Sequence, residues 1–277
     1  MKQTVISEYR SWLFRTRQVT MLVLAVLVWE VVGSSLCSHA ELMNVGLQFF
    51  EPYIATANSY LVILIVPIFS LIMMSDYPNL DEGYVFTICR MGKTRWLLGK
   101  VLFAFICSVS VVLFVMVVSI LPCIGHIDLG RMWSPATTKL AYYYPDLEYN
   151  PVFNLIQRDV YNHMYPGVAA MHSCFLSVLL IFGYSLMLLV GKIYDKKYIF
   201  IGLNVLIMAA GGIFTTMKSR YAFFFPAGHA ALTGRFNEIE RASKMPFWMS
   251  YLYMTVWIII MLVFAGIGIK RRNICTK

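Results

Sequence analysis

Charge is scarce in this chain. Asp, Glu, Lys and Arg make up 13% of its 277 residues, while 59% are hydrophobic. A water-soluble domain carries about a quarter charged residues, so the balance argues against a soluble fold. Metal and redox signatures are missing as well. The six cysteines, Cys37, Cys89, Cys107, Cys123, Cys174 and Cys275, are scattered, and none falls in a C-x-x-C pair. The five histidines show no H-E-x-x-H and no paired spacing that suggests zinc. No Ser/His/Asp set and no pair of carboxylates has a spacing that implies catalysis. The short string Gly92-Lys93-Thr94 looks like the end of a phosphate-binding loop, but Thr87 stands where that loop needs its first glycine.

Long apolar runs are what the chain does have. Six of them, 19–37, 53–74, 96–121, 168–190, 198–217 and 247–269, can each cross about 30 Å of hydrocarbon at about 1.5 Å per residue. A bilayer core offers no water to spare backbone groups, so these runs must be helices. The expected fold is all-α, a polytopic membrane protein with six transmembrane helices and a single transmembrane domain over 1–277. The first run is too long for a signal-peptide core and lacks a clear cleavage site, so it reads as a mature span.

The net charge of +9 is distributed by side. Most of the 23 basic residues cluster in four places: Lys2, Arg10, Arg15 and Arg17; Arg90, Lys93, Arg95 and Lys100; Lys192, Lys196 and Lys197; and Lys270, Arg271, Arg272 and Lys277. The loop 38–52 has neither Lys nor Arg. The positive-inside bias puts both termini in the cytoplasm of a plasma-membrane protein. The basic excess is thus an orientation signal, and the lipid bilayer, not nucleic acid, is the expected partner.

Two segments outside the spans carry helical periodicity. In 1–18, Val5, Tyr9, Trp12 and Leu13 form a stripe with Arg10, Arg15 and Arg17 on the other sides, a basic amphipathic helix lying in the interface. In 80–91, Asn79 caps a short helix whose first turn holds Asp81 and Glu82. Gly83 follows, then Tyr84, Val85 and Ile88 as an apolar face, then Arg90 and Met91, with Gly92 as a stop. Through Lys93-Thr94-Arg95 this helix leads directly into the third span.

The outer loops are less regular. The loop 122–167 is long for a structureless connector, and its tyrosines suit an interfacial aromatic belt or an outer cap. The loop 218–246 holds Phe223-Phe224-Phe225-Pro226, apolar but too short to span, as in a re-entrant segment. Within the spans, Glu30 is the only acidic residue well inside an apolar run and so a candidate pathway residue. Asn58 and Asn204 are further candidates, though amides often only bridge helices. Cys37 and Cys123 both sit near outer helix ends, where a disulfide is geometrically conceivable; the other reading is small apolar filling.

The residues Asp81-Glu82-Gly83-Tyr84, Arg90-Met91-Gly92-Lys93-Thr94-Arg95 and Gly99-Lys100 resemble the cytoplasmic pattern of the type-2 ABC-transporter permease family. The whole chain is similar to that family in its N-terminal helix, six spans and inside termini. The resemblance implies that 80–91 is a coupling helix docking into a separate ATPase subunit, which binds ATP and Mg. It also implies a second permease copy or a homologous permease, no cofactor and no catalysis in this chain, and an amphipathic cargo: a peptide, antibiotic, lipid or lipid-linked glycan. Other classes remain open: a stand-alone secondary transporter using Glu30, or a membrane scaffold or embedded enzyme. The first predicts inverted repeats and the last a catalytic cluster, and neither is evident.

Overall fold

A computed structural model describes residues 2–14, 18–78, 84–145, 155–236 and 243–271. The protein is an all-α membrane protein. Five helical stretches among the described residues are long and apolar enough to cross a bilayer: Val19–Met43, Lys93–His126, Pro166–Ile193, Lys197–Thr216 and Phe247–Arg271.

The chain opens with α1 (Lys2–Leu13). The first span follows as α2 (Val19–Val28), a π-helical turn (Trp29–Gly33) and α3 (Ser34–Met43). Its buried residues Leu24, Val28, Val32, Leu36 and Ala40 recur every four positions. In a regular α-helix such a row rotates by about 40° per step. The wider π turn, marked by the bond from the Ser34 N–H to the Trp29 carbonyl, takes out part of that drift and keeps the row on one face.

The run predicted as one second span is two helices. After β1 (Leu47–Gln48) come α4 (Glu51–Asn58) and α5 (Tyr60–Met73), separated by Ser59 in an extended conformation. Neither half spans a bilayer alone, which is why five long helices appear where six continuous runs were expected. The short helix α6 (Tyr84–Met91) leads through Gly92 into α7 (Lys93–Ile120). The first span also runs six residues further than its apolar stretch, so Ser38–Met43 is helix, not loop.

The loop 122–167 is a chain of short elements. A 3-10 segment (Leu121–His126) leads to β2 (Ile127–Asp128), then α8 (Pro135–Thr138), α9 (Leu140–Tyr143) and α10 (Arg158–Tyr161). β2 pairs in parallel with β1, Leu47 opposite Ile127 and Gln48 opposite Asp128. The long helices α11 (Pro166–Ile193) and α12 (Lys197–Thr216) follow. A 3-10 turn (Arg220–Phe224) and α13 (Pro226–Ala230) lie before α14 (Phe247–Arg271).

α11 is the centre of the bundle. It is buried on nearly every side from Leu180 to Gly191 and packs against α4, α7, α12, α13 and α14. Small residues set the closest approach, as is usual between membrane helices. A Cβ on Gly183 would overlap the Trp257 ring of α14, and one on Gly191 would meet the Phe200 Cβ at 2.5 Å.

Candidate functional site

The corner between the short helix and the third span is built around Gly92. Its φ of 83° lies where side-chain-bearing residues are strained, and it turns the chain from α6 into α7 within one residue. Its N–H donates to the Ile88 carbonyl, and its own carbonyl accepts from the Trp96 N–H. Ile88 is buried and packs with Trp96 of α7 and Ile269 of α14. The Lys93 Nζ donates to the Lys270 carbonyl at 3.5 Å. The short helix is therefore bound to both the third span and the last.

This arrangement corrects one expectation. The resemblance makes this helix one that docks into an ATPase subunit, which would put its apolar face, Ile88 included, against that partner; Ile88 faces the bundle instead, because Trp96 and Ile269 offer an apolar surface at the helix's own base. Arg90 is exposed and Met91 half-buried. Asp81, Glu82 and Gly83 lie outside the described residues, as do the side chains of Tyr84 and Val85 within α6.

The N-terminal helix is also fixed to this side of the bundle. Val5 and Trp12 are buried, and Leu13 is exposed. The Trp12 indole N–H donates to the Met73 carbonyl at 3.2 Å, and its ring meets Phe103 edge-on. The Tyr9 hydroxyl lies 2.7 Å from the Ser110 hydroxyl. Glu8 pairs with Lys100 at 2.7 Å, and Lys100 is buried against the Trp96 ring. α1 thus packs along α7 on one face, while Ile6, Leu13 and the following Phe14 stay exposed on another. Arg15 lies outside the described residues.

The three candidate pathway residues do not converge. Glu30 stands in the π turn on the exposed side of the first span. Asn58 is buried at the end of α4, and both ends of its amide are used. Its Nδ2 donates to the Ile54 carbonyl at 2.9 Å and the Ser173 hydroxyl at 3.1 Å, and its Oδ1 accepts from the Leu232 N–H at 2.8 Å. Asn204 is buried between α12 and α11, where it donates to the Tyr184 carbonyl at 3.4 Å. Asn58 and Asn204 are helix fasteners, and only Glu30 presents its carboxylate beyond the bundle.

Asn58 belongs to a buried hub, at the end of the bundle away from Gly92, whose other members were not anticipated. The chain between α13 and α14 returns into the protein, and Arg235 is fully buried there. Its Nε donates to the Ala231 carbonyl at 2.7 Å, a second nitrogen donates to the His229 carbonyl, and its guanidinium lies 4.6 Å from the Phe247 ring centre. His229 Nε2 donates to the Phe223 carbonyl at 2.7 Å, leaving Nδ1 to accept from the Ser250 hydroxyl at 3.1 Å. The Gly234 N–H donates to Asp159 at 2.6 Å. These bonds satisfy several backbone groups of the returning chain, while the buried Arg235 Nη1 has no hydrogen-bond partner among the described residues.

Glu51 closes the other side of the hub. It lies two residues ahead of the predicted second span and is fully buried. It accepts from the Gln48 N–H at 3.2 Å and from the N–H and hydroxyl of Ser134 at 2.5 and 2.7 Å. The one sequence signal for it was Glu51-Pro52, an acid and a proline in a first helical turn.

Between these two ends, Ala57, Pro67, Val115, Ile181, Ala227 and Ala231 help line an apolar cavity of about 40 Å³. It sits where the broken pair α4–α5 meets α7, α11 and α13. Its floor and walls hold methyl and ring groups, which suit an apolar moiety and not an ion. Glu30 does not line it.

No family model, curated protein or solved structure matches this chain. Function is therefore read from the corner at Gly92, the hub and the exposed carboxylate themselves.

Proposed function

We propose that the chain is the membrane-spanning subunit of an ATP-driven exporter of the type-2 ABC kind. In this reading it crosses the membrane six times, with α4–α5 as the second crossing, and both termini and α6 lie in the cytoplasm. A separate ATPase subunit binds ATP and Mg, and a second copy or a homologous permease completes the pathway. The cargo is amphipathic, in keeping with the apolar cavity beside the broken helix.

The observation that carries the reading is the coupling of α6 to the spans. A short helix on the basic side, joined to α7 by one glycine and packed through Ile88 on α14, moves only if the spans move. A push on its exposed side, where Arg90 lies, passes into the third and last spans through Trp96 and Ile269. Such a lever serves a partner that changes shape; a protein working alone has no use for it.

The test is copurification. The chain, tagged and purified from its native membranes, should retain an ATPase subunit through solubilisation and stimulate that subunit's ATP hydrolysis. A chain that holds no ATPase under crosslinking, yet moves its cargo on an ion gradient alone, overturns the proposal.

A further inference from the structure

Cys37 and Cys123 lie on different spans, far apart in sequence, and their Sγ atoms are 3.6 Å apart. We infer that the two form a reversible disulfide that staples the outer end of the first span to the outer end of the third.

Three contacts hold the thiols in register independently of any bond between them. Just before Cys37, Gly33 packs so closely on Pro122 that an added Cβ would sit 2.8 Å from the proline ring. Just beyond both residues, Glu41 meets His126 at 3.5 Å. Further on, β1 and β2 pair at Leu47–Ile127 and Gln48–Asp128. The cysteines are thus clamped between a close packing contact on one side and a hydrogen-bonded ladder on the other. Forming the bond brings the sulfurs from 3.6 Å to about 2 Å.

The two sulfurs also differ in access, as a stepwise exchange requires. Cys37 is half-buried and Cys123 is fully buried. Cys37, as thiolate, attacks one sulfur of an external low-molecular-weight disulfide such as glutathione disulfide, and one glutathione leaves as its thiolate. Cys123, as thiolate, then attacks the Cys37 sulfur and expels the second glutathione. Two protein thiols are oxidised and one external disulfide is reduced to two thiols; the protons given up by the cysteines are taken by the departing thiolates. The charge distribution puts both cysteines on the non-cytoplasmic side, where disulfides persist. The bond would cross-link the π-helical span to α7 at the end away from α6.

The experiment counts thiols. Membranes holding the full chain are treated with glutathione disulfide, denatured, and alkylated with or without prior dithiothreitol. Intact mass should show two fewer labels without the reductant, and the Cys37→Ser and Cys123→Ser variants should each lose that difference. Peptide mapping of the unreduced wild type should recover one cross-linked species joining the segments around 37 and 123, so a variant that fails to fold does not decide the matter. Full labelling of the oxidised wild type, or a cross-link between any other pair in its place, overturns the inference. The readout is independent of transport, so it stands or falls apart from the permease reading.

Discussion

Glu51 and Asn58 show how single residues govern the half of the protein away from Gly92. Glu51 accepts from both the N–H and the hydroxyl of Ser134. Glu51→Gln should cost about 1 kcal/mol, because its amide NH₂ must confront one of the Ser134 donors. Thermal unfolding of the solubilised protein should show the loss, and an unchanged melting temperature would mean that these bonds contribute no net stability. Asn58→Leu tests the hub differently. Losing the bond to Ser173 is worth about 0.6 kcal/mol, typical for side chains between membrane helices. Leaving the buried Leu232 N–H without its acceptor costs more, about 1–3 kcal/mol. The sum should appear as lower thermal stability and faster proteolysis between α13 and α14; Ser173→Ala should reproduce only the smaller part. Neither residue announced itself fully in the sequence. A lone amide near a helix end, or an acid just outside an apolar run, has no local mark of partners a hundred residues away.

Among the elements, the continuous apolar helices were legible and the interruptions were not. Run length alone identifies α7, α11, α12 and α14. The break at Ser59 was invisible because no glycine or proline marks it and the separation is stabilised by Leu232 and Ser173, which lie elsewhere in the chain. The π turn was hidden as well, since its role is to keep Leu24 to Ala40 on one face of a packed span. The stripe in α6 was visible, but periodicity gives a face and not the neighbour it meets. The buried position of Ile88 changes what α6 can be asked. On the exporter reading, Arg90→Glu, on the exposed side, should lower ATPase copurification at least several-fold without affecting membrane insertion. Ile88→Ala should instead loosen the helix from Trp96 and Ile269, costing about 2–4 kcal/mol locally. It should raise amide hydrogen exchange in α6 while ATPase binding persists but its stimulation falls. If Ile88→Ala abolishes binding and Arg90→Glu does not, the inward-facing lever is mistaken.

At the scale of the whole molecule, the exposed side of the first span is the feature a single copy leaves unexplained. Glu30, Ser34, Ser38 and Glu41 all lie on that side. Ser34 and Ser38 turn their hydroxyls back to the carbonyls of Glu30 and Ser34, which hides their polarity. Glu30 has no such recourse. The span runs from Val19 to Met43, which places Glu30 about 16 Å from one end and about 20 Å from the other. A carboxylate at that depth costs on the order of 3 kcal/mol if it faces lipid. A second subunit laid against this side would remove it from lipid and supply partners. Glu30→Leu separates the two situations. If the side faces lipid, the change removes a cost, so the protein should become more stable and its assembly state should not move. If a second subunit covers it, self-association measured by energy transfer between labelled copies in liposomes should weaken by about tenfold or more, for a lost contact of about 1.4 kcal/mol. The stability of the isolated chain in detergent should stay level or rise, because Glu30 contributes nothing to the fold of one copy. Unchanged association with raised stability would put lipid, not protein, against the first span, and a two-chain pathway would then have to be sought on another side of the bundle.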